Sequence, residues 1–277
     1  LLGLAALLRA HVLALLVVMV WVVWAPGPDP RPRRRLAVAG LLILALLPAG
    51  LAAVHNSRLA GRPTGPSLNG GVNLYLGLMP EGQGMFTTVA GFDLEADPSG
   101  RAFLERRLGR PLAGPAEADR VWLAEARRQI ESSPGRSLGL WLRKIWLHLQ
   151  GWEVSQVTPL AAWPAAAPVL RLLVVPWWLL VVLGGTGLTV VLLGASPSWS
   201  GAGRRIWPWA GALVILVLVQ SLFFVVTRYR LVVWPMLAIL AGAGVLGLPD
   251  LRPGSWRRRG LPLALVAGGL ALATVPG

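Results

Sequence analysis

A chain of 277 residues that is 55% hydrophobic and only 14% charged, with a mean hydropathy of +0.62, is too apolar for an ordinary soluble domain, where about a quarter of residues are charged. The lack of cysteine excludes disulfides and thiolate metal sites, and the three scattered histidines (His11, His55, His148) form no HExxH pattern. A formal net charge of +14 points to nucleic acid in a soluble protein, so its meaning depends on where along the chain the charges fall.

Taken in order, the apolar residues form six blocks of helix-spanning length, at about 4–24, 36–54, 169–194, 207–226, 231–248 and 261–276. Leu1 to Trp24 lacks the basic start and small-residue cleavage site of a signal peptide, and the chain ends at "ATVPG" inside an apolar run. The expectation is a fragment of a longer membrane protein. Between the first two blocks lies "PGPDPRPRRR", with Arg31, Arg33, Arg34 and Arg35. Arg204 and Arg205 follow the third block, and Arg252, Arg257, Arg258 and Arg259 the fifth. Short arginine-rich loops stay cytoplasmic, and all three are cytoplasmic together if the six spans alternate. Most of the excess charge is then an orientation signal, and no nucleic acid is expected.

Residues 55–167 hold ten of the twelve acidic residues. They are too long for a structureless connection and are expected to form an external, mainly helical domain. "PTGPSLNGGVNLYLG" (63–77) is rich in turn residues. "AEADRVWLAEARRQIESSPG" (116–135) reads as a helix, acids first and arginines later. "PGRSLGLWLRKIWLHLQGW" (134–152) sets Leu138, Leu142, Ile145 and Leu149 on one helix face, flanked by Trp141 and Trp146, with Arg136, Arg143 and Lys144 elsewhere. Such a helix either lies in a membrane interface or packs on its own domain. The fourteen tryptophans suit an interface. The fold class expected is an all-α polytopic membrane protein of about six transmembrane helices. Its expected parts are 1–54 (two spans), 55–167 (external) and 168–277 (four spans).

"TRYR" (227–230) is then a short outer turn between two spans, where the positive-inside rule expects few arginines. A guanidinium presents a planar fork of donors to phosphate, so Arg228 and Arg230 are candidates to bind a lipid-linked phosphate, with Tyr229 capping the site. The competing explanations are snorkelling of the arginines to headgroups and an aromatic belt for Tyr229. Pro235 is expected inside the following helix, kinking it. Asn69, Asn73, Tyr75 and Arg58 are candidates to line a sugar or acceptor cavity, although the geometry of an Asn-Gly-Gly turn explains the asparagines by itself. Arg58 and Lys144 suit donor phosphate or lipid headgroups. "DLEAD" (93–97) spaces acids like the start of a calcium loop, but Pro98 replaces the required glycine and Leu104 the closing glutamate. Glu153 reads as a surface carboxylate.

The order of "GLAALLRAH" (3–11), "HNSRLAGRPTGPSLNGGVNLYLG" (55–77), "WLAEARRQIESSPGRSLGLWLRKIW" (122–146) and "RYRLVVWPMLAILAG" (228–242) resembles the C-terminal half of bacterial C-type glycosyltransferases. Within these it resembles the dolichyl-phosphate-mannose-protein mannosyltransferase-like and aminoarabinose-transferase-like group. The resemblance implies a bacterial plasma-membrane enzyme that transfers sugar from a polyprenyl-phosphate donor to an external acceptor. It implies no definite cofactor and leaves room for a divalent metal. The family's Thr-Arg-Pro-Asn is replaced by Leu8-Arg9-Ala10-His11, and the family's catalytic carboxylate has no counterpart here, which places it before Leu1. The alternative is a non-catalytic membrane protein, such as a flippase or transporter of lipid-linked sugars. Gln220 and Arg171 are polar groups within the apolar blocks, but those blocks hold no carboxylate, against ion-coupled transport.

Overall fold

The computed structural model describes residues 1–25, 30–87, 89–150, 154, 177–192 and 203–247. Among these the regular elements are all helical, beside one isolated parallel bridge between Met85 and Val225. The chain forms two compact units, Leu1–Lys144 with Val219–Val225, and Ile145–Leu218 with Val226–Gly277.

In the first unit, α1 (Leu2–Leu8), a 3-10 turn (Ala10–Ala14) and α2 (Leu15–Trp24) lie against α3 (Arg31–Ala60). Pro32 in the first turn of α3 sits where its missing N–H is not needed, and Gly61 closes the helix in the left-handed region at φ 64°. Pro48, inside α3, cannot donate to the Leu44 carbonyl. Gly3 packs at that spot, where a Cβ would meet the carbonyl oxygens of Ala45 and Leu44 at 2.7 and 2.8 Å.

The rest of the first unit is built on α4 (Gly70–Leu78), α5 (Arg101–Leu108) and α6 (Pro115–Ser132). Its centre is Trp122, fully buried among Tyr75, Phe92 and Phe103, with ring centroids 4.7–6.0 Å away. The indole Nε1 donates to the Ser99 carbonyl at 3.1 Å. Asp97 starts α5, accepting from the backbone N–H groups of Arg101 and Phe103. Gly71 lets α4 approach α6 closely, and its N–H donates to Asp119 Oδ1 at 2.6 Å. Val225 joins this unit through backbone bonds with Gly84 and Phe86, and Phe224 packs on the Phe86 ring. The long helix α7 (Pro134–Leu149) begins in the first unit and passes into the second after Lys144.

The second unit contains α8 (Trp177–Leu192), most of α9 (Gly203–Gln220), the four-residue α10 (Thr227–Arg230) and α11 (Trp234–Gly247). The helices α8 and α11 run against each other, with Gly184 close to Leu237, and Ile206, Leu240 and Ala243 make a buried cluster.

The expectation of about six transmembrane helices is not met. Among the described residues one helix, Arg31–Ala60, is long and apolar enough to cross a membrane. At 1.5 Å per residue its thirty residues reach about 45 Å, beyond a hydrocarbon core of about 30 Å. The other apolar helical stretches, Ala10–Trp24, Trp177–Leu188, Ile206–Gln220 and Trp234–Ala243, have 10–15 residues and reach at most about 23 Å at the α-helical rise. The first block is cut by Arg9, whose extended backbone (φ −146°, ψ 92°) separates α1 from the 3-10 turn. The fourth ends at Gln220, where the chain turns to pair with residues 84–86. The expected span at 261–276 and the arginine loop at 249–260 lie outside the described residues, as do Arg171 and Glu153. Sidedness inferred from six alternating spans loses its basis with them.

Candidate functional site

The segment "TRYR" is a single helical turn pinned at both ends. Its first residue, Thr227, donates its backbone N–H to the Val154 carbonyl at 2.9 Å and accepts the Val154 N–H on Oγ1 at 2.8 Å. Its last residue, Arg230, is 1% exposed. The Arg230 guanidinium donates from Nη2 to the Leu147 carbonyl and lies over the Trp177 ring, 5.5 Å from its centroid. Trp177 in turn donates Nε1 to the His148 carbonyl at 3.1 Å and stacks on Trp234. Leu147 and His148 are in the last turn of α7, whose carbonyls have no intrahelical donors, so Arg230 and Trp177 cap that helix. A buried cation at a helix C-terminus also meets the negative end of the helix dipole.

With its two ends held, the turn presents its middle. Arg228 is exposed and its guanidinium carbon stands 5.5 Å from the centroid of the half-buried Tyr229 ring. The two arginines therefore point apart, one inward and one outward. Pro235 is the second residue of α11, a position that needs no N–H, so the expected kink inside a span is corrected.

The asparagine-glycine stretch is in the first unit and has its own local logic. Asn69 is exposed, precedes α4 and accepts from Ser67 Oγ at 2.5 Å. Asn73 is half-buried one turn on, and Tyr75 packs its ring against Trp122 as part of the core. Arg58 is exposed near the end of α3. Sequence reasoning passed over Asn56 and Ser57, which close the loop after α3. Asn56 Nδ2 donates to the carbonyls of Gly65 and Pro66, and Ser57 Oγ accepts the Thr64 N–H at 2.9 Å. Nothing in residue type alone separates such a clamp from a ligand contact.

Lys144 has a further role that its sequence position did not reveal. It is 1% exposed, and Nζ donates to the carbonyls of Gly77 and Leu222, each at 3.1 Å. Gly77 is in the last turn of α4, so Lys144 caps that helix, helped by Arg136, which donates to the Leu78 carbonyl at 3.4 Å. Burial lowers the Lys144 pKa to about 8. The expected headgroup contact for Lys144 is thus replaced by a structural one.

The acids of "DLEAD" bind backbone: Asp93 Oδ1 accepts the N–H groups of Glu95 and Ala96, while Asp97 starts α5. Among the described residues no group of three or more His, Asp and Glu side chains could hold a metal ion. His55 is exposed and His148 buried. Comparison of the chain with protein-family models, with curated proteins and with solved structures gave no match.

Proposed function

We propose that this chain is a segment of a bacterial plasma-membrane glycosyltransferase that moves a sugar from a polyprenyl-phosphate donor to an acceptor outside the cytoplasm. The support is the resemblance of residues 55–77, 122–146 and 228–242 to C-type glycosyltransferases, together with a helix, Arg31–Ala60, that suits a membrane. Arg31, Arg33, Arg34 and Arg35 crowd its N-terminal end, which the positive-inside rule assigns to the cytoplasm and the chain after Ala60 to the outside.

The observation that carries the reading is the divided labour of "TRYR". Arg230 and Thr227 hold the turn, and Arg228 stands outward on a rigid base, backed by the Tyr229 ring. A positioned guanidinium suits the phosphate of a lipid-linked sugar, which it can bind through two parallel hydrogen bonds. The phosphate role belongs to Arg228 and the supporting role to Arg230.

Donor binding tests this directly. Arg228→Ala should weaken binding of a polyprenyl-phosphate sugar by at least roughly tenfold, since each of the two charge-assisted hydrogen bonds it loses contributes about 1.5–3 kcal/mol. Arg228→Lys should restore little if both bonds form. Titration in lipid nanodiscs reads this out. Donor affinity unchanged in Arg228→Ala would sink the phosphate site and favour a simple anchor.

A further inference from the structure

The helix α7 is turned the wrong way for a protein surrounded by water. Its cation Lys144 is 1% exposed, while Leu138 and Leu142 are 56% and 54% exposed. The bonds from Lys144 to Gly77 and Leu222 fix this rotation. At 100° per residue, Leu138 and Leu142 point about 120–160° away from Lys144. They stand one above the other at i and i+4, with the half-buried Trp141 about 60–100° round the helix to one side and exposed Arg143 about 100–140° round to the other. The sixteen residues of α7 include no acid. An exposed leucine pair flanked by an indole on one side and an arginine on the other, without a carboxylate to repel headgroup phosphates, is the composition of an interfacial helix.

We infer that the Leu138–Trp141–Leu142 face of α7 lies on an anionic phospholipid surface, its leucines in the acyl boundary and Arg143 among the headgroups. Two further observations select lipid over a protein partner. The same unit carries α3, which is long and apolar enough to enter a bilayer. The two leucines are also too few for a stable protein interface, which needs roughly 800 Å² per partner. Leucine side chains at an interfacial depth of about 5–10 Å need no such area. Arg143 then gains from anionic lipid at short range, and Trp141 sits where indoles collect. This inference stands apart from glycosyl transfer.

The chain has no cysteine, so single reporters can be placed cleanly. Leu138→Cys and Leu142→Cys, with Arg107→Cys on α5 as control, are labelled with an environment-sensitive dye in the full chain. All three positions are exposed, so folding is kept, and a thermal-unfolding midpoint checks it. The variants are placed in vesicles of phosphatidylcholine with and without phosphatidylglycerol. The expected result is quenching of the 138 and 142 dyes by lipid-borne nitroxide and protection from aqueous iodide, the reverse of Arg107→Cys. Phosphatidylglycerol should deepen the protection, and adding Arg143→Glu should cut that gain roughly fivefold. Iodide access equal to that of the control overturns the inference. So does shielding from both quenchers, which marks a face covered by protein.

Discussion

Two regions of the first unit treat apolar residues in opposite ways. Around Trp122 the large rings are inside: Trp122 is fully buried with Leu76 and Leu104, and the hydrogen-bonding needs of its indole are met at Ser99. Along α3 they are outside, with Ile43 63%, Leu44 73% and Leu51 61% exposed. The first pattern needs only water to form, since burying a large aromatic is favourable wherever water is the alternative. The second needs a non-aqueous neighbour, because a contiguous exposed apolar helix is an interaction surface. A single chain thus keeps a water-driven core and a long, exposed apolar helix within one compact unit.

The sharpest test of the water-driven core is Trp122→Ala. Removing a fully buried indole leaves a large cavity among Tyr75, Phe92 and Phe103, and costs about 3–5 kcal/mol. Chemical unfolding in detergent should show the loss. Hydrogen exchange should place it in α4, α5 and α6 and spare α3. Equal loosening of α3 would erase the distinction.

Lys144 tests the same core through its charge. Burial lowers its pKa to about 8, from an ordinary value of 10.5. Between these two values the unfolded chain holds a proton that the folded chain has released, so stability rises with pH across that window. The gain is roughly 3 kcal/mol at most, and below about pH 8 both states are protonated and the slope disappears. Comparing the unfolding free energy of the parent with that of Lys144→Met across pH isolates this term. Parallel curves from pH 8 to 10.5 would mean that Lys144 is not desolvated.

These residues also mark how far the sequence could be read. The helices α6 and α7 were legible because their signals are local, acids early and arginines later in α6 and Pro134 opening α7, whereas α4, inside the turn-rich 63–77, and α5 were not read as helices. The apolar blocks were legible as helices but not as spans. Length along the sequence cannot register an interruption such as Arg9, whose extended backbone carries no local signature of proline or glycine. The site was less legible still. Arg228 and Arg230 look alike in "TRYR", yet one is buried against the end of a helix 83 residues earlier and the other is exposed. Only tertiary packing separates them. Lys144 and Gly71 have the same history, since each is explained by a partner from a distant segment, Gly77 with Leu222 and Asp119.

A smaller effect is expected where α3 meets its neighbour. Gly3→Ala sets a Cβ 2.7 Å from the Ala45 carbonyl oxygen and 3.0 Å from Pro48 Cδ, both parts of a rigid helix. The helices must separate, at about 1–3 kcal/mol. Thermal unfolding in detergent should fall accordingly, with crosslinking between α1 and α3 reduced. An unchanged midpoint would mean that α1 is not seated on α3.

The smallest effect is expected at a side chain of that same contact, and it decides what α3 faces. Leu44 lends its carbonyl to the packing at Gly3, but its side chain is 73% exposed. Leu44→Ala keeps the backbone and removes side-chain atoms that touch little protein, so unfolding in detergent should change by less than about 0.5 kcal/mol. A buried leucine would instead cost roughly 2–5 kcal/mol. Membrane partition answers differently, because leucine favours the bilayer by about half a kilocalorie per residue at a helix centre. Leu44→Asp exaggerates that term, costing about 2.5–3.5 kcal/mol of insertion while leaving water-soluble packing nearly untouched. Extraction of the two variants from membranes by alkaline carbonate distinguishes the cases. Retention of Leu44→Ala with release of Leu44→Asp is the signature of a lipid-facing side chain. If Leu44→Ala unfolds like a core mutant, α3 is covered by protein at that position, and its contrast with the Trp122 core disappears.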